Sequence, residues 1–122
     1  MVSFERRKSR SNNRLEAVRL YLEANAERAG VRACVLSDED GLLIGGVGDV
    51  DLDVLAAIGP VFVAGTPLRP SMEERIDSVV KNHDLYASAI NVGPNRLVLT
   101  SIGARFPEQR RAERAFERIL AS

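Results

Sequence analysis

One segment of the sequence, residues 51–65, predicts a helix that is apolar around almost its whole circumference. It starts with aspartates, whose side chains can accept hydrogen bonds from the N–H groups of a first helical turn, and it ends at Gly65. Gly59 and Pro60 interrupt the pattern, and Pro60 removes one backbone donor, so we expect a kink or a break there. Two apolar stripes run along this helix, one of Leu52, Leu55, Gly59 and Phe62 and the other of Val54, Ile58 and Val61. Since the surface helix of a monomer needs only one stripe, we expect another molecule to cover the second.

The length of the chain leaves room for one domain. It has 122 residues, which suffice for one core but not for two independent cores. We place this domain at residues 13–121 and expect residues 1–12 to form a flexible basic arm. Residues 1–14 contain five Lys and Arg against a single Glu, and short charged termini are usually solvated tails.

The overall charge argues against a nucleic-acid-binding protein. Seventeen basic and seventeen acidic residues cancel, so no global field attracts a polyanion. The single cysteine cannot form an internal disulfide, and no stretch approaches the roughly 20 apolar residues of a membrane span. We therefore expect a cytoplasmic protein that has no membrane span and binds no nucleic acid.

Capping and turn residues predict most of the other elements. Asn13 and Glu16 have capping-box spacing at the start of a helix that stops at Gly30. Two hairpins follow from β-rich segments, one turning at the Asp-Gly pair of residues 40–41 and the other at the Gly-Pro-Asn of residues 93–95. A last helix opens at Pro107 and has apolar residues at positions 112, 115, 116, 119 and 120.

Residues 71–82 allow two interpretations. Ser71 and Glu74 have capping-box spacing, and the apolar residues that follow recur at helical intervals. The stretch "RIDSVVK" within this segment is also a plausible strand. The local sequence slightly favours the helix.

The residues that usually carry catalysis or bind metals are few and scattered. The only histidine, His83, lies in a predicted turn, where a solvated side chain is the ordinary state. Cys34 lies within a predicted strand, where a thiol is usually buried and inert. A zinc site of the usual kind cannot be assembled from one histidine and one cysteine. We therefore expect neither a cofactor nor a metal.

The segment "DEDGLLIGGVGDVD", residues 38–51, is rich in glycine but lacks the pattern of a phosphate-binding loop. The third glycine of the Gly-x-Gly-x-x-Gly spacing is missing after Gly46 and Gly48, and carboxylates stand where the anion would lie. A calcium loop beginning at Asp49 fails as well, because Val54 and Pro60 occupy its glycine and glutamate positions. We expect the glycines to allow a tight turn and a close approach of other backbone.

Two longer segments give the sequence a family resemblance. "ACVLSDEDGLLIGGVGDVDLDVLAAIG" reads as a strand, an acidic turn, a strand, a short polar stretch and a helix, and "LYASAINVGPNRLVLTSIG" reads as a closing hairpin. Over residues 13–120 the chain resembles the Roadblock family of dynein light chain-like proteins. The resemblance implies an α+β sandwich in the order α-β-β-α-β-β-β-α, with a five-stranded antiparallel sheet, two helices on one face and one on the other. It also implies that residues 75–82 are the third strand.

The resemblance further implies a binding protein rather than an enzyme. Members of the family typically dimerise through the third strand and the second helix, and they serve as scaffolds and as regulators of Ras-like small GTPases, including bacterial pairs that set cell polarity and gliding motility. We therefore expect a non-enzymatic homodimer that binds a Ras-like small GTPase or another Roadblock-family protein. The residues expected at the dimer or partner interface are Leu55, Ile58, Val61, Phe62, Ile76, Val79 and Val80.

Other functions remain open from the sequence. A profilin-like sensor domain would hold a small molecule between the sheet and the second helix. An enzyme would need an acid/base pair or an activated nucleophile, and the sequence offers no visible example. An arginine supplied in trans could still act on a GTPase, and the candidates are Arg69, Arg96 and Arg105.

Overall fold

The structure, a computed structural model, describes the backbone of residues 2–121 and the side chains of residues 13–121. Four helices and four strands occur in this part of the chain. In chain order they are α1 (Val2–Ala29), β1 (Ala33–Asp38), β2 (Leu43–Val47), α2 (Leu52–Ala64), α3 (Pro70–Val80), β3 (Leu85–Val92), β4 (Asn95–Ile102) and α4 (Gln109–Ala121).

The strands form one antiparallel sheet in the order β2-β1-β4-β3. The central strands β1 and β4 are buried along most of their length because helices cover both faces of the sheet. The outer strands β2 and β3 are only half-buried over most of their residues. Successive residues of β1 enter opposite cores, Cys34 on one face and Val35 on the other, as the pleat of a strand requires.

The two cores use different pairs of helices. Helices α1 and α4 cover the first core, in which Val18, Leu22 and Phe116 are fully buried. Tyr21 packs edge-on against Phe116, with 5.2 Å between the ring centroids. Helices α2 and α3 cover the second core, which includes Leu55 and Val79. Helices α1 and α4 therefore lie on one face of the sheet, and α2 lies on the other face with α3 packed against it.

The strand expected at residues 75–82 is wrong, and with it the five-stranded sheet. Most of this segment belongs to helix α3, which has Pro70 at its start and Lys81 in a left-handed conformation at its end. A helix brings Ile76, Val79 and Val80 to one side, whereas a strand would place Val79 on the opposite face from the other two. The helical spacing seen in the sequence is therefore the one that buries the apolar residues.

The other predicted elements are present with adjusted bounds. Helix α1 begins at Val2 rather than at Asn13, and the mobility of residues 1–12 stays a prediction. Helix α2 starts as expected, since the Asp51 carboxylate accepts a hydrogen bond from the Val54 N–H at 3.2 Å. It ends at Gly65, whose φ is +67°, and it is continuous across Pro60.

Glycines allow the helices to lie close to the sheet. A Cβ atom on Gly45 would lie 2.8 Å from Cγ1 of Val18 in α1, and one on Gly46 would lie 2.8 Å from Cγ1 of Val35. A Cβ atom on Gly59 of α2 would overlap the Thr100 hydroxyl of β4. The glycines of β2 thus serve packing, as the sequence predicted, and Gly59 does the same for α2.

Candidate interaction surface

Part of the apolar surface of α2 is not buried in the second core. The buried residues of this helix are Leu55, Ala56, Ile58 and Gly59, and its only charged residue is Asp53. Val54, Ala57, Val61 and Ala64 recur at helical intervals along α2 and are all half-buried or exposed, although Val54 also packs against the second core. A helix on the surface of a monomer normally has charged and polar residues in these positions. This face is therefore suited to contact another apolar surface.

Phe62 extends the same surface towards the end of α2. Its side chain is 43% exposed, although aromatic side chains have much apolar area to bury. A shallow cavity of about 160 Å³ lies beside it, lined also by Val61, Thr66 and Leu68. We call Val54, Ala57, Val61, Phe62, Ala64 and Leu68 the α2 surface.

The structure separates the seven predicted interface residues into two groups. Leu55 and Ile58 are almost fully buried under α2, and Ile76 and Val79 are buried under α3. These four side chains hold the protomer together. Val61 and Val80 are half-buried and Phe62 is exposed, so these three can also reach a partner.

Sequence reasoning overlooked three members of the α2 surface, Ala57, Ala64 and Leu68. Ala57 and Ala64 recur with Val54 and Val61 at helical intervals, and this spacing could have found them. Leu68 lies in the connector between α2 and α3, where no periodic pattern exists. Its proximity to Phe62 is a product of the tertiary fold.

Strand β3 offers a second possible contact beside α2. It lies at an edge of the sheet. The segment that was expected to supply a further strand is helix α3 instead. Its Ala89 carbonyl accepts a hydrogen bond from Nε2 of Gln109 at 3.2 Å. An edge strand with accessible backbone groups is a template for adding another strand.

The residues considered for catalysis lie apart from one another. Cys34 is fully buried, and burial raises the pKa of its thiol to about 12, so it remains protonated at neutral pH. Arg69 precedes α3, Arg96 lies 3.9 Å from Glu39, and Arg105 stacks over the Tyr86 ring at 5.0 Å. The three candidate arginines are therefore on different elements.

The described residues contain no group of three or more histidine, cysteine, aspartate or glutamate side chains that could hold a metal ion. None of their helices combines the length and the apolar character needed to cross a bilayer.

Comparison with solved structures identifies the fold. The chain is similar to MglB of Myxococcus xanthus, with 18% identity, a TM-score of 0.55, and coverage of 88% of this chain and 90% of the other. For the gliding protein MglB of Thermus thermophilus the identity is 17% and the TM-score 0.54, covering 87% of this chain and 90% of the other. An MglB structure with a tetrameric arrangement gives 18% identity and a TM-score of 0.55, covering 87% and 89%.

MglB is a gliding-motility protein of the Roadblock family. The resemblance drawn from the sequence is therefore confirmed at the level of the fold, an α+β arrangement of helices on an antiparallel sheet. No family model and no curated protein matches the sequence.

Proposed function

We propose that the protein is a non-enzymatic, homodimeric adaptor of the Roadblock type that regulates a Ras-like small GTPase. It would act in bacterial cell polarity or motility, in the cytoplasm, by binding the GTPase or another Roadblock-family protein. The MglB fold supports this assignment, since the solved structures with the same fold are gliding-motility proteins.

The observation that carries the proposal is the apolar outer face of α2. Burying exposed apolar side chains stabilises an assembly by roughly 25 cal/mol per Å² of area removed from water. Phe62 and Val61 present such area at the end of the helix, with no charged residue between Asp53 and Gly65. A second copy can bring the same surface to meet this one across a twofold axis.

The chain departs from the family in its third strand, and this changes the expected dimer. Pairing through the third strand requires an extended segment where this chain has helix α3. In our proposal the dimer therefore rests on the α2 surface, with the half-buried Val80 at its margin and the edge of β3 beside it.

The substitution Phe62→Asp tests the dimer. A carboxylate in the middle of an apolar contact loses its hydration without gaining a partner, so we expect a monomer. Molar mass is measured by size-exclusion chromatography with light scattering at several protein concentrations. Leu20→Asp is the matched control, because Leu20 is 52% exposed on α1, away from the α2 surface.

The two variants separate the proposal from a general effect on solubility. The proposal expects a dimer for the wild type and for Leu20→Asp, and a folded monomer for Phe62→Asp. A wild-type monomer at all concentrations contradicts the homodimer. A Phe62→Asp protein that stays dimeric removes Phe62 from the interface.

Partner capture tests the regulatory role. The tagged protein is incubated with cytosol of its own organism loaded with GTP or with GDP, and the retained proteins are identified by mass spectrometry. We expect a Ras-like GTPase or a second Roadblock-family protein to be retained by the wild type. Recovery of neither would contradict the proposed function.

The alternative of a small-molecule sensor gains no support from the contact between α2 and the sheet. Gly59 lies directly against Thr100, so this contact leaves no space for a ligand. Leu55 and Ile58 fill the neighbouring region with buried side chains.

A further inference from the structure

A groove runs between α1 and α4, on the opposite face of the sheet from the α2 surface. Its volume is about 680 Å³. The floor is apolar and is formed by Ala17 and Tyr21 of α1 and Ala115 and Ile119 of α4. Two of these are alanines, whose small side chains keep the groove open between the larger residues.

The floor of the groove is held in place by the first core. The Tyr21 ring packs edge-on against the fully buried Phe116 and lies 6.4 Å from the ring of Phe106. Tyr21 itself is only half-buried, so one part of the ring belongs to the core and another part lines the groove. The shape of the groove is therefore fixed by packing before any partner arrives.

Two arginines, Arg14 and Arg118, line the groove beside this apolar floor, together with Asn13. Burial is the largest influence on Tyr21 and raises the pKa of its hydroxyl; the charges of Arg28 and Arg111 lower this pKa, and the Glu108 carboxylate raises it. Both arginines also form ion pairs with the carboxylate of Glu108, at 3.9 and 3.0 Å.

Glu16, Glu23 and Glu27 of α1 lie towards a different part of the surface. Glu16 and Glu23 both pair with Arg19, each at 2.6 Å. Glu23 and Arg19 line a separate depression beside β2. Among the described residues that line the groove, the charged ones are thus Arg14 and Arg118, with no carboxylate, whereas Glu108 and Glu117 lie on the neighbouring surface.

We propose that the groove between α1 and α4 binds an acidic amphipathic helix of a partner protein. The apolar side of such a helix would cover Tyr21 and Ile119, as in other complexes where an amphipathic helix lies in an apolar groove. Its flanking Asp or Glu side chains would meet Arg14 and Arg118. Guanidinium and carboxylate groups form strong charge-assisted hydrogen bonds, which favour acidic over basic helices.

The groove is open to solvent, so a helix of about 10 Å diameter can lie along it. Sedimentation with lipid vesicles distinguishes such a partner from a membrane surface. The sheet lies between this groove and the α2 surface, so a partner bound here leaves the proposed dimer surface accessible.

A peptide display selection tests the proposal. The library contains helical peptides of about 18 residues with a fixed leucine stripe and Glu or Lys at random in the other positions. Selection on the wild-type protein is expected to enrich Glu-rich peptides. Their affinity is then measured by fluorescence anisotropy against the wild type and the variants below.

Charge reversal in the groove is the decisive variant. Arg14→Glu combined with Arg118→Glu should weaken binding of the selected acidic peptides by about tenfold or more and select Lys-rich peptides instead. Arg69→Glu combined with Arg75→Glu makes the same change in charge at exposed positions of α3 and its cap and should leave the affinity unchanged. All four arginines are exposed, so neither pair should prevent folding.

A groove-filling variant and a lipid measurement complete the test. Ala17→Trp should block the peptides while thermal unfolding shows that the protein remains folded. No enrichment, enrichment without a preference for Glu, or equal loss of binding in the control pair would overturn the proposal. The proposal would also be overturned if the wild type sedimented with phosphatidylglycerol vesicles and bound none of the peptides. The dimer test with Phe62→Asp does not depend on these outcomes.

Discussion

Two buried serines in neighbouring central strands differ in their hydrogen bonding. The Ser101 hydroxyl of β4 donates to the Ala104 carbonyl at 2.9 Å. The Ser37 hydroxyl of β1 is fully buried and has no partner among the described residues. A buried polar group without a partner loses its hydration and gains nothing in return. These two residues of the same type should therefore contribute to stability with opposite sign.

Alanine substitutions test this difference. Ser37→Ala should raise the free energy of unfolding by about 1 kcal/mol, and Ser101→Ala should lower it by about 1 kcal/mol. Both variants are compared with the wild type by urea denaturation at the same protein concentration. A loss of stability in both would show that the Ser37 hydroxyl has a partner in solution.

Gly59 shows what a single residue contributes to the packing of α2. From the sequence, Gly59 and Pro60 read as an interruption of the helix. In the structure the helix continues, and the missing side chain of Gly59 leaves space for Thr100 beneath it. The glycine was visible in the sequence, but the residue that it contacts was not.

At the scale of elements, helix α3 is the clearest departure from the family pattern. Val79 belongs to the second core and Ile76 is also buried, while most other positions of the helix are exposed. The helix ends where Lys81 adopts φ +46° and ψ +56°. A residue with a Cβ atom is strained in this left-handed conformation, and glycine is not.

Two glycine substitutions distinguish a helix from a strand in this segment. Lys81→Gly should raise the free energy of unfolding by about 1 kcal/mol because it relieves the left-handed cap. Arg75→Gly, within the helix, should lower it by about 0.7 kcal/mol. Urea denaturation measures both. If this segment were a strand, both substitutions would lower the free energy of unfolding. A Lys81→Gly protein that is less stable than the wild type would therefore contradict the helix.

At the scale of the whole molecule, the proposed dimer couples stability to concentration. If the α2 surface is covered only in the dimer, dissociation accompanies unfolding. Each tenfold increase in protein concentration should then raise the free energy of unfolding of the dimer by about 1.4 kcal/mol. Thermal unfolding followed by circular dichroism at several concentrations measures this. Phe62→Asp should unfold at a temperature that does not depend on concentration, and a concentration-independent wild type would contradict the coupling.

The sequence by itself determined most of the elements. Helix α2 with its Asp51 cap, both hairpins and helix α4 follow from periodicity, capping residues and turn glycines, which act over a few neighbouring residues. The same local signals favoured a helix at residues 71–82, and the family pattern, applied against them, gave the wrong strand. The apolar excess of α2 was also visible in the sequence, because one helix cannot bury two stripes against one sheet.

Only the tertiary structure decided which apolar residues remain exposed. Leu55 and Phe62 lie on the same predicted stripe, yet Leu55 is buried over the sheet and Phe62 extends to the surface. The groove between α1 and α4 likewise arises where two distant segments pack side by side. The physical reason is that burial depends on what lies opposite a side chain. Local periodicity fixes which side of an element a residue occupies, but only the fold determines what covers that side.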